Sequence, residues 1–157
     1  MNSRLLSIAA LALGGLCTAS SPAAAQPAPD AAASAPARND ALYRQLGGQP
    51  GLVRLMDDFM PRLLADTRMQ PFFKDVDQAH LKAQLVDQFC EVSGGPCKLK
   101  GPDMKKVHAG VDINKSHFNA LVEVLQLSMD AQGIPFTTQN QLLAKLAPMH
   151  RDIINTP

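Results

Sequence analysis

Apolar side chains recur at helical spacing through most of the chain beyond residue 40. Val53, Met56, Met60, Leu63 and Leu64 fall on one face of a helix. Leu81, Leu85, Phe89 and Val92 mark a second face, and Phe118, Leu121, Val122, Leu125 and Met129 a third. Leu142, Leu143, Leu146, Met149 and Ile153 mark the last. No stretch alternates as a half-buried strand does, and β-branched residues are sparse. The pattern predicts an all-α domain of four substantial helices with shorter pieces around them.

The breaks fall where the pattern needs them. Gly47-Gly48 stops a short first helix that begins near Asp40, and Gln49-Pro50 opens the next. Pro61 lies inside the apolar period of that second helix and is expected to kink it or shift its hydrogen bonding. Asp77 is placed to cap the helix of Leu81, and Gly94-Gly95-Pro96 to end it. Asn114 or Ser116 is placed to cap the helix of Phe118. Thr138 with Gln141 three residues on fits a capping box for the last helix.

Composition divides the 157 residues into three parts. Residues 1–25 read as a secretory signal: Arg4, the apolar run Leu5–Leu16, and the small-residue site Ala23-Ala24-Ala25. The run is short for a bilayer span, which needs about 20 apolar residues, so stable membrane insertion is not expected. Cys17 would suit a lipoprotein, but Leu16 stands where a small residue is wanted. Residues 26–38 are Ala, Pro and Ser with almost no large apolar side chain, which reads as a disordered linker. Residues 39–157 form the folded domain. The expected location is therefore periplasmic or secreted.

Net charge is +1, and no basic stripe with interleaved aromatics appears, which argues against a nucleic-acid partner. Removal of the signal removes Cys17 and leaves the pair Cys90 and Cys97, which could bridge in an oxidising compartment. A loop that short stabilises by roughly 2.5 kcal/mol on the chain-entropy estimate. Two unpaired cysteines are the alternative. Zinc is poorly served, because no second cysteine pair accompanies them.

The candidate chemistry centres on His108. It follows Gly94-Gly95-Pro96, Gly101 and the basic stretch Met104-Lys105-Lys106-Val107, with apolar neighbours Val107, Val111 and Ile113. A single neutral imidazole beside apolar side chains suits one axial bond to a metal whose other bonds come from elsewhere.

An ordered set of blocks carries a family resemblance: Leu42-Tyr43 with Leu46-Gly47-Gly48, Asp58-Phe59, Leu64-Ala65-Asp66, Phe72-Phe73, Gly94-Gly95-Pro96, Gly101, Met104-Lys105, Val107-His108-Ala109-Gly110, Ile113, His117-Phe118 and Ala147-Pro148. Together they resemble the group I truncated haemoglobins over roughly residues 40–154. The resemblance implies a 2-over-2 helical sandwich around haem b, with His108 as the proximal iron ligand. It implies that Phe73 stacks on the haem ring and that Leu81, Leu85 and Phe89 line the distal wall. Met104, Val107, Ile113, Phe118, Leu121 and Leu125 match the proximal wall and the porphyrin edge. Lys82 and Lys105 are candidate partners for the haem propionates, against the ordinary reading of solvated lysines.

The chain departs from the family on the distal side. A tyrosine usually follows Asp-Phe; here Met60 does. Glutamine often occupies the position of Leu85. Neither Met60 nor Leu85 donates a hydrogen bond. The expected function is binding of a diatomic gas (oxygen, nitric oxide or carbon monoxide) in an unusually apolar distal pocket. Turnover would need an external reductase, since the chain holds no flavin or nicotinamide motif. The alternative is a six-coordinate electron-transfer or redox-sensing haem protein, with Met60 or His80 as the sixth ligand. A helical bundle without cofactor is the third reading. His117 and His150 are expected to face solvent or pack at helix ends.

Overall fold

The structure is a computed structural model that describes residues 39–156. The expected signal and linker, residues 1–25 and 26–38, lie outside the described residues. Eight α-helices and one 3-10 turn follow in order: α1 (Ala41–Gln45), α2 (Gly48–Ala65), α3 (Gln70–Phe73), α4 (Gln78–Val92), α5 (Met104–Val107), α6 (Lys115–Ala131), α7 (Phe136–Leu146), the 3-10 turn Ala147–Met149, and α8 (His150–Ile153). Among the described residues there is no strand. None of these helices is long and apolar enough to cross a membrane.

The four long helices are those the periodicity marked: α2, α4, α6 and α7. Helix α2 packs against both α4 and α6, while α7 packs against α6, α4 and α1. This is a two-layer sandwich of helix pairs. Its core is built from the inner faces of those helices: Leu52, Leu55, Met56, Phe59 and Leu63 of α2, Val86, Phe89 and Cys90 of α4, Ala120, Val124, Leu125 and Met129 of α6, and Leu142 of α7. Each Leu, Met, Phe or Val among them contributes about 1.5–3 kcal/mol on removal from water.

Several local readings need adjustment. The buried stripe of α4 is Val86, Phe89 and Cys90; Leu81, Leu85 and Val92 are only partly buried beside it. The helix is rotated so that Cys90 packs inward, leaving Leu81 and Leu85 on its flank. Helix α2 continues through Pro61 to Ala65, and the expected effect of Pro61 is local to its hydrogen bonding. The proline ring removes only its own N–H, and the carbonyl of Asp57 loses that partner. The Thr138 capping box does not form. Helix α7 starts three positions earlier, at Phe136 after Pro135, and has no side-chain cap. Thr138 is buried instead, and the buried Gln139 donates to the carbonyl of Ile134 and to Asp130. The apolar run of the last helix is also divided, because Pro148 falls in the 3-10 turn that separates α7 from α8.

Other caps match expectation. The Asp77 carboxylate accepts from the N–H of His80 at 3.0 Å. Asn114 accepts from the N–H of His117 at 3.0 Å, and the His117 ring accepts from the N–H of Asn114. The imidazole thus completes a capping box in which Glu or Gln is usual. Two residues past the end of α4, Gly94 has a φ of 89°, in the left-handed region. A Cβ there would also stand 2.1 Å from the carbonyl oxygen of Asn39. Just beyond, Cys90 and Cys97 stand at disulfide distance, with Cα atoms 5.7 Å apart.

Candidate functional site

His108 sits at the C-terminal end of the single-turn helix α5. Three local features put it there. Gly101, at φ 124°, turns the chain in a way that glycine favours. The Asp103 carboxylate accepts from the N–H of Lys106 at 2.9 Å and starts the turn. Gly110, at φ 77°, lets the chain leave it. The Nδ1 of His108 lies 2.8 Å from the carbonyl oxygen of Met104. A carbonyl only accepts, so Nδ1 carries the proton of the neutral ring. The lone pair of Nε2 is then free to bind a metal.

The half-buried ring of His108 lines an apolar cavity of about 220 Å³. Of the residues expected around a haem, Phe73, Leu81, Val107, Ile113, Phe118 and Leu121 line the same cavity. Phe73 is fixed at the end of α3, where its carbonyl accepts from the side-chain amide of Gln78. Val107 is half exposed, at 51% of its surface, and so belongs to the rim.

The remaining expected residues are placed elsewhere. Met60, Phe89 and Leu125 are buried in the helix core and do not line the cavity. Leu85 is partly buried against that core. Met104 lies under Gln88, whose amide reaches the sulfur atoms of both Met104 and Met149, at 3.7 and 3.3 Å. His80 is exposed on the first turn of α4. Lys82 pairs with Asp57 across α2 and α4, and Lys105 is exposed beside the rim.

The cavity also holds Met69, Phe72, Val76, Val111, His117 and Ile153. Of these, only Val111 is read from the sequence as an apolar neighbour of His108. The doubled Phe72-Phe73 and the pair His117-Phe118 carry a signal for two more. Nothing local marks Ile153, which comes into place only when α8 folds back beneath the His108 turn.

A larger cleft of about 590 Å³ lies alongside, lined by Thr67, Arg68, Pro71, Phe72, Ser116, His117, Asn119 and Glu123. Arg68 spans it, paired with Asp66 at 2.8 Å and Glu123 at 2.7 Å. The Arg68 guanidinium holds the Asp66 carboxyl below the usual carboxylate range. The two spaces share one wall, where the rings of Phe72 and His117 meet edge to face with centroids 4.8 Å apart. The polar lining of the outer cleft suits water. The apolar cavity, with one free imidazole nitrogen, suits a flat apolar group that brings its own metal. Among the described residues no group of three or more His, Cys, Asp or Glu could hold a bare metal ion. Haem fits this donor set: it would bring its own iron, which His108 would hold through Nε2.

Comparison with known proteins agrees with this chemistry. The family model described as bacterial-like globin matches residues 41–155. The chain is 32% identical over 112 residues to a group 1 truncated hemoglobin of Mycolicibacterium paratuberculosis, covering 71% of this chain and 82% of that one. It is 34% identical over 128 residues to a group 1 truncated hemoglobin of Synechocystis, covering 73% and 97%. The solved structure of a truncated hemoglobin from Tetrahymena pyriformis in its Fe(III) form superposes with a TM-score of 0.70 at 28% identity, covering 73% of this chain and 98% of that one. The chain therefore belongs to the bacterial-like globins, among the group 1 truncated haemoglobins, a family of haem b proteins that bind diatomic gases.

Proposed function

We propose that this globin binds oxygen or another small diatomic gas through haem held by His108, on a distal side that offers no hydrogen-bond donor from Met60 or Leu85. The observation that carries the reading is the His108 ring itself. It lines the apolar cavity and spends its Nδ1 proton on the Met104 carbonyl, which leaves Nε2 free. Haem, when bound, would supply the iron at which the gas binds. The chain supplies the proximal nitrogen, a phenylalanine at the ring, and an apolar enclosure that excludes water. The six-coordinate alternative gains no support from side-chain placement, because His80 is exposed and Met60 is packed in the core.

An absorption spectrum of ferric and ferrous protein beside His108→Ala tests the reading. Wild-type protein is expected to show a five-coordinate ferrous spectrum, and His108→Ala to lose it. A ferrous wild-type spectrum that is six-coordinate and low-spin would favour the alternative. Turnover such as nitric oxide dioxygenation would draw electrons from a separate reductase.

Export completes the proposal. Residues 1–25 carry the features of a signal, and Cys90 and Cys97 stand close enough to bond in an oxidising compartment. Full-length chain expressed in a bacterium with two membranes is expected in the periplasmic fraction, shortened after Ala25 and free of reactive thiols. Unprocessed protein in the cytoplasm would defeat this part.

A further inference from the structure

The turn that carries His108 is held from outside by the last residues of the chain. Asn155 lies just beyond α8 and is exposed, yet both ends of its amide are engaged. Its Nδ2 donates to the carbonyl of His108 at 2.9 Å, and its Oδ1 accepts from the N–H of Ile113 at 2.7 Å. The neighbouring backbone reinforces the grip: the N–H groups of Asn155 and Thr156 donate to the carbonyl of Ile113 at 3.0 and 3.2 Å. The tail therefore holds the turn at its first residue and its last.

The segment between those points has an unusual shape. Gly110 sits at φ 77°, and Asp112 at φ 53° is the one non-glycine residue with positive φ among the described residues. A non-glycine residue held there persists only where the surroundings over-determine it. Within the turn, the N–H of Val111 reaches the His108 carbonyl at 3.3 Å, a long bond. The outside hold is tighter than the inner one. An amide is also the right group for the task, because it donates with one end and accepts with the other. Aspartate would keep the contact to Ile113 and lose the one to His108.

We propose that Asn155 is a positioning residue for the proximal imidazole. By fixing the turn at His108 and Ile113 it sets where the ring stands and so tunes the iron–nitrogen bond. The inference rests on the reading of His108 as the iron ligand.

The test uses the full chain loaded with haem, reduced and without gas. Resonance Raman spectroscopy reads the iron–histidine stretching band in wild type, Asn155→Ala and Asn155→Asp. The band is expected to shift in Asn155→Ala and to shift less in Asn155→Asp. Amide hydrogen exchange at Ile113 in the haem-free chain is expected to quicken several-fold in Asn155→Ala. A band at the wild-type position in both variants overturns the proposal, even if exchange quickens, because the tail then only braces the loop. Unchanged exchange at Ile113 overturns it as well. If Asn155→Ala does not retain haem, Asn155→Asp decides the band measurement by itself. Failure of the underlying reading looks different: the wild-type protein itself would lack an iron–histidine band.

Discussion

The proposed ligand chemistry turns on Met60 and Leu85, which stand where the family carries donors although neither lines the cavity beside His108. Dioxygen held at iron gains from a nearby donor and carbon monoxide gains less, and neither side chain can donate. Oxygen release in stopped-flow mixing is therefore expected to be fast in the wild type and little changed in Met60→Leu. It is expected to slow in Leu85→Gln, which restores a donor on α4. Slow release that Met60→Leu leaves unchanged would contradict the apolar distal pocket. His108 was legible in the sequence as the candidate iron ligand because it comes with a frame of turn residues at fixed offsets. The distal residues were legible as a departure from a pattern, but their placement was not. Met60 and Phe89 turn into the helix core, and Leu85 onto its flank, because α4 presents Val86, Phe89 and Cys90 to α2.

Among the elements, the helix ends were the more readable part. Gly94 illustrates why: its left-handed φ and its approach to the Asn39 carbonyl both exclude a side chain. Gly94→Ala is expected to destabilise the protein by at least about 2 kcal/mol in urea unfolding, the sum of a left-handed penalty and a backbone clash. A loss below about 0.5 kcal/mol would mean that the α4 terminus rearranges freely. The reading failed where tertiary contacts outweighed a local motif. Thr138 and Gln141 have the spacing of a capping box, yet Pro135 starts α7 earlier and Thr138 is buried. His117 shows the reverse. Its imidazole fills the place of a glutamate in the α6 capping box, a substitution that the usual sequence rule does not include.

At the scale of the whole molecule, the periodicity and its breaks were sufficient to predict four long helices with one apolar face each; their arrangement as a sandwich was legible only through the family resemblance. The cavity was less legible, because its walls come from α3, α4, the His108 turn, α6 and α8. Charge adds a pH dependence at this scale. Arg62 holds the Asp58 carboxyl below its usual range, Arg68 does so for Asp66, and Lys98 for Glu91. Carboxylates with lowered folded-state values contribute stability that is complete above their unfolded values near pH 4 and is lost as pH falls further. All three are partly exposed members of surface ion pairs, so each contribution is small. Thermal unfolding followed by circular dichroism is expected to show a flat melting temperature from neutral pH to about pH 5 and a decline below pH 4. In Asp58→Asn with Asp66→Asn, that decline should be shallower.

The scatter of the cavity walls along the chain has an energetic consequence. A space bounded by side chains as far apart in sequence as Met69 and Ile153 exists only when α3, α4, the His108 turn, α6 and α8 are assembled together. A group that binds there binds the folded state alone and draws the folding equilibrium toward it by mass action. Haem seated there, as proposed, would serve as the last piece of the hydrophobic core as well as the site of chemistry. The folded lifetime of this globin is coupled to the supply of its cofactor.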